Sequence, residues 1–157
     1  MRFEDVLLRV GEEPLFETGV LLVGNVDPTD VRRQLVRWNR PGRIHQIRRG
    51  LYCLASPFAR RKPHSFLVAN RLVRGSYVSL QSALSYHGLI PESVPVVTSV
   101  GCVRTGRWVT PLGVFEFRHL KKPLIDSYEA VAVGGDQTAF LATAEKALLD
   151  RIHPEPG

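Results

Sequence analysis

The sequence predicts an α+β chain in two parts, on three observations. Helical periodicity runs through residues 3–39. Two short β-rich segments separated by Arg49-Gly50 follow at once. Beyond the stretch Pro57–Pro63, short strands and helices alternate. The expected boundaries are 1–57 for a first domain, 58–63 for a linker and 64–157 for a small mixed α/β domain.

Each element of the first part has a local cause. Phe3, Val6, Leu7 and Val10 follow the i, i+3, i+4, i+7 pattern of an amphipathic helix, which Gly11 and Pro14 stop. Phe16 to Val23 reads as a second short helix ended by Gly24-Asn25. In Asp27-Pro28-Thr29-Asp30, Asp27 suits the N-cap, Pro28 the first helical position and Asp30 the third, so a third helix should run from Pro28 to about Asn39 and end at Pro41-Gly42. At roughly 100° per residue, Val31, Leu35 and Trp38 share one side and Arg33, Arg37 and Arg40 the other, flanked by Arg32 and Asn39. Ile44–Arg48 and Leu51–Leu54 read as two strands joined by Arg49-Gly50, where glycine accepts the positive φ of a tight hairpin. That hairpin carries Arg43, His45, Gln46, Arg48 and Arg49. Three helices and then a basic hairpin is the order of a winged helix-turn-helix, in which the third helix enters the major groove and the wing straddles backbone or minor groove.

The charge distribution points the same way. The chain of 157 residues has a net charge of +6, but residues 30–62 hold ten basic residues against Asp30 alone. Residues 1–29 are net −4 and residues 63–157 net +1. A concentration of one sign in so short a stretch makes a local field that favours a polyanion. The competing reading is a solvated basic face that reads nothing. Arginine pairs bidentately with guanine, and Asn or Gln with adenine, whereas contacts to phosphate set register alone. The candidate DNA contacts are therefore Arg32, Arg33, Gln34, Arg37, Asn39, Arg40, Arg43, His45, Arg48 and Arg49. Trp38 shares the side of Leu35 and Val31 and reads as core.

In the second part, His64–Val73 reads as a helix, Ser76–Leu80 as a strand and Gln81–His87 as a helix closed by Gly88. Val94–Val100, Val114–Phe117 and Val131–Val133 are β-rich. Thr143–Ile152 is strongly helical, with Ala144, Ala147, Leu148 and Ile152 on one face and Thr143 as its N-cap. Tyr77, Tyr86 and His87 read as core groups with satisfied hydrogen bonds rather than a pocket lining.

No catalytic constellation is visible. His45, His64, His87, His119 and His153 lack paired spacing, and the chain has no GxSxG elbow, GxGxxG fingerprint or phosphate loop. Glu116-Phe117-Arg118 is the nearest approach to a nuclease pattern, without the lysine such a site wants. Cys53 and Cys102 have no metal-ligand neighbours; a lone disulfide is compatible with the sequence, and a reduced cytoplasmic chain is the simpler reading. No apolar run approaches a membrane span, and Glu4 and Asp5 break any secretory leader. The expectation is a cytoplasmic non-enzyme with no cofactor and no metal.

Three stretches resemble a known family, the AbiEi-type antitoxins of type IV toxin–antitoxin systems. Val31-Arg32-Arg33-Gln34-Leu35-Val36-Arg37 with Ile44-His45-Gln46-Ile47-Arg48-Arg49-Gly50-Leu51-Tyr52 is similar to the family's recognition helix and its wing ending in R-x-G-x-Y. Tyr77-Val78-Ser79-Leu80-Gln81-Ser82-Ala83-Leu84 with His87-Gly88-Leu89 is the second. Ala142-Thr143-Ala144-Glu145-Lys146-Ala147-Leu148-Leu149-Asp150 is similar to the motif A-T-P-E-K-A-L-x-D. The resemblance implies a repressor that binds double-stranded DNA at inverted repeats of its own promoter. It also implies a C-terminal domain that counters a nucleotidyltransferase-like toxin without an obligatory stable complex. Carried onto this sequence, the DNA contacts fall on Arg32, Arg33, Arg37, Arg48 and Arg49. Ala144 departs from the family's proline, and many relatives continue past this last helix, which leaves open a regulator lacking the antitoxin role.

Other readings remain beside this one. They are a stand-alone winged-helix regulator whose second domain senses a ligand or mediates dimers, a nucleic-acid-processing enzyme, and a module whose basic face meets an acidic protein.

Overall fold

The computed structural model describes residues 1–152. These form two compact units, Met1–Pro63 and a second beginning at His64. Among the described residues, α-helices accompany one sheet of three strands and one of six, so the chain is α+β. His153, one of the histidines weighed above, lies outside the described residues.

In the first unit, α1 spans Phe3–Val10 and buries Phe3, Val6 and Val10. The expected second helix is not an α-helix. Phe16–Glu17 is a short strand, β1, and Thr18–Leu22 is a 3₁₀ turn. The cause is a long-range pairing: Phe16 and Glu17 lie antiparallel to Tyr52 and Leu51. α2 runs Pro28–Asn39, with the Asp27 side chain accepting from the Thr29 amide at 3.0 Å. β2 (Ile44–Arg48) and β3 (Leu51–Leu54) form the hairpin, and the sheet order is β1-β3-β2. Gly50 turns it at φ +83°, and its carbonyl accepts from the Thr18 amide at 3.1 Å.

The core of this unit is apolar, with Val6, Leu21, Leu35 and Ile44 at 1% exposure or less. Phe3 belongs to it, tilted against Trp38 at 5.5 Å and edge-on to Phe58 at 4.9 Å. Phe58 and Ala59, in the stretch expected to be a linker, pack on this core, and Arg61 pairs with Glu12 at 3.1 Å.

The second unit holds α3 (Ser65–Leu72), β4 (Ser76–Val78), α4 (Leu80–Tyr86), β5 (Val96–Gly101), β6 (Gly106–Thr110), β7 (Gly113–His119), β8 (Tyr128–Gly134), β9 (Gln137–Ala142) and α5 (Ala144–Ile152). The strand order is β6-β7-β5-β4-β9-β8; β4 and β9 run parallel, as do β5 and β7. The local sequence pattern does not mark β6 or β9, and β8 begins three residues before the expected Val131. At Gly101 a Cβ would stand 2.7 Å from the Gly75 carbonyl oxygen, so this close approach of β5 to the start of β4 requires glycine.

The inward face of α5 corrects its apolar pattern. Leu148, Leu149 and Ile152 are exposed, while Lys146, Ala147 and Asp150 are buried. Lys146 Nζ lies 2.8 Å from Asp150 Oδ1 and also donates to the Leu124 carbonyl. Asp150 Oδ2 accepts from the Ser79 hydroxyl at 2.6 Å and the Tyr77 hydroxyl at 3.1 Å. Burial, reinforced by the Asp150 charge, pushes the Tyr77 phenol pKa well up, so it stays a donor to the carboxylate.

Candidate nucleic-acid interface

α2 presents two chemically opposite sides. Val31 and Leu35 are 2% and 1% exposed, and Trp38 packs half-buried against the same core. Arg32, Arg33, Arg37 and Arg40 are exposed. The first set fixes the rotation of the helix, and the second follows from periodicity.

What the arginines do not do is equally informative. Arg9 donates to the Leu21 and Val23 carbonyls, both at 3.1 Å, and Arg61 holds Glu12, so this unit uses arginine structurally where it needs to. Among the described residues Arg32, Arg33, Arg37, Arg40 and Arg49 have neither an ion pair nor a side-chain hydrogen bond. Guanidinium groups held on a rigid helix with no intramolecular anion can meet an external one at little reorganisation cost.

The remaining candidates divide. Asn39 Oδ1 accepts from the Gln46 amide at 3.1 Å, so this side chain clips the end of α2 to β2 and its oxygen is committed. Gln34 turns inward, with Oε1 buried and without a hydrogen-bond partner. Arg43 lies over the Phe3 ring at 5.3 Å. Arg48 Nη1 donates to the Arg49 carbonyl at 2.8 Å, bracing the hairpin turn and leaving Arg49 as its outward cation. His45 is half-buried opposite Cys53. Burial pushes the Cys53 thiol pKa up to about 11, so it stays protonated and unreactive near neutrality.

Arg2 escaped the sequence reading because it sits in an acidic segment. It lines a groove of about 490 Å³ with Phe3, Glu4, Gln34, Arg37, Trp38 and Arg43. The only local signal was a basic residue directly before the first amphipathic turn.

Elsewhere the histidines and Glu116 make contacts within the fold. His64 Nδ1 caps α3 by accepting from the Phe66 amide at 3.0 Å, and burial lowers its pKa. His87 Nε2 lies 2.8 Å from the Ala142 carbonyl, and His119 Nδ1 2.9 Å from that of Val103. Phe115 and Phe117 are buried, and Glu116, between them, pairs with Arg107 at 3.1 Å. Both cysteines are free. Among the described residues no three His, Cys, Asp or Glu side chains converge on a metal-sized point, and no helix is long and apolar enough to cross a membrane.

Compared with protein-family models and with curated proteins, the chain matches neither.

Proposed function

We propose that the protein is a DNA-binding transcriptional regulator, with its first unit acting as a winged helix-turn-helix. In this reading α2 is the recognition helix and the β2–β3 hairpin is the wing. The observation that carries it is the row of exposed arginines on α2, unpaired among the described residues, on a helix whose opposite side is locked into an apolar core. The element order α1, β1, 3₁₀ turn, α2, β2, β3 supports it, with β3 at the centre of a small sheet. Arg33, Arg37 and Arg49 are the side chains best placed to meet phosphates, and Arg32 and Arg40 flank them.

The same proposal extends to an antitoxin of a type IV system, repressing its own promoter at inverted repeats. Its second unit would counter a nucleotidyltransferase-like toxin in the cytoplasm. This extension rests on the three sequence motifs.

The test is titration of fluorescent DNA from the protein's own upstream region, beside a shuffled duplex, at several salt concentrations. Tighter binding to the upstream duplex is expected. Arg33→Ala with Arg37→Ala should weaken binding to both duplexes and flatten the log K against log salt slope by about two units. No duplex binding, or equal binding to both sequences, overturns the regulator. For the antitoxin role, co-expression should restore growth arrested by the adjacent toxin gene; persistent arrest rejects it.

A further inference from the structure

We infer that the groove between the start of α1 and the end of α2 is a phosphate-binding site, formed by Arg2, Arg37 and Arg43. The three come from separate points of the chain and line one groove of about 490 Å³ whose apolar wall is Phe3 and Trp38. Among the described residues Glu4 is the single acidic one lining it. Among the described residues none of the three guanidinium groups has an ion pair or a side-chain hydrogen bond. Like charges gathered in this way repel one another until an anion joins them.

The groove is also preorganised. Arg43 is held over the Phe3 ring at 5.3 Å, and Phe3 is 8% exposed at the groove side of the core. Arg2 directly precedes α1, and its backbone amide donates to Asp5 Oδ2 at 2.9 Å, which sets where its side chain leaves the helix start. Arg37 belongs to both the groove and the exposed side of α2, so the groove continues the basic surface. Guanidinium planes suit phosphate oxygens through paired N–H donors.

A backbone phosphate of a duplex lying along α2 is the first source of such a group, and to that extent the site rests on the DNA-binding reading. A free phosphate would use the same chemistry. The footprint would then include the start of α1 as well as helix and wing.

Trp38 lines the groove, and the chain's other tryptophan is Trp108 on β6. In a Trp108→Phe background, Trp38 emission therefore reports on the groove. The protein is titrated with a short duplex and, separately, with inorganic phosphate against chloride at equal ionic strength. Both titrations are repeated with Arg2→Ala/Arg43→Ala. The expected result is a Trp38 response to duplex and a salt slope lower by about two units in the double variant. An unchanged melting temperature excludes misfolding, and Arg43→Lys should restore part of the slope. A response to inorganic phosphate alone, lost in the double variant, also upholds the site and assigns the phosphate to a free ligand. Silence of Trp38 to both ligands with an unchanged slope overturns it. If no duplex binds at all, the DNA-binding reading fails while the phosphate titration still decides the groove.

Discussion

The two units treat charge in opposite ways. The first has an apolar core and leaves the arginines of α2 outside with no anion among the described residues. The second draws Lys146 and Asp150 inward, to 4% and 0% side-chain exposure, and surrounds them with hydroxyls and a carbonyl. A cation in water costs the fold little and stays available to a partner. A cation inside must be paired, and its pairing then belongs to the fold. The contrast teaches where to look for function: the first unit's arginines are candidates for binding, whereas Lys146, though it sits in the third of the resembling motifs, is an internal tie between α5, β4 and the segment before β8.

The strongest way to break this comparison is Lys146→Met. It leaves the Asp150 carboxylate buried beside two hydroxyls with no cation, and a loss of roughly 3–5 kcal/mol of unfolding free energy is expected. Lys146→Met with Asp150→Leu should recover a large part of that, because the uncompensated charge goes too. Urea denaturation of the three chains measures it. A single variant costing under about 1 kcal/mol, the range of surface pairs, would mean that the pair is not internal.

A subtler variant sharpens the same contrast within the first unit. Asn39 looks like a base reader from its place on the basic side of α2, but its oxygen holds the Gln46 amide. Asn39→Ala should therefore lower stability by about 1 kcal/mol and weaken binding to upstream and shuffled DNA alike. Unchanged stability with loss of preference between the two duplexes would make Asn39 a reader after all.

Legibility followed locality. Both ends of α2 and the hairpin were readable because a cap, a proline and a turn glycine act within a few residues: Asp27 holds Thr29, and Gly50 adopts φ +83°. Phe16–Glu17 has a helical local pattern but is a strand, because its conformation is set by partners at Tyr52 and Leu51, far along the chain. On α5, periodicity grouped Ala144, Ala147, Leu148 and Ile152, yet the helix turns its Lys-x-x-x-Asp pair inward, since that pair finds Tyr77 and Ser79 on the strand side. Sequence pattern takes charge as outside, and a satisfied buried pair defeats it. Of the candidate site, the arginine row of α2 was legible. The structural use of Asn39 and Arg48, and the convergence of Arg2 with Arg43, depend on contacts between elements.

The smallest predicted effect concerns a titratable group that the second unit uses for its fold. His64 caps α3 through Nδ1, which accepts from the Phe66 amide only while that nitrogen is unprotonated. Burial accordingly holds its pKa below the ordinary 6.5. A depressed folded-state value means that the unfolded chain binds the proton more readily. The stabilisation is thus complete above about pH 6.5 and is lost as pH falls through the folded-state value. The loss should approach the worth of one N-cap, about 1 kcal/mol at most. His64→Asn keeps a capping oxygen and removes the proton site, so the difference in stability between the two chains should shrink as pH rises from 5 to 8, approximately the window in which a histidine titrates. Parallel pH profiles for the two chains would show that the imidazole cap carries no proton linkage.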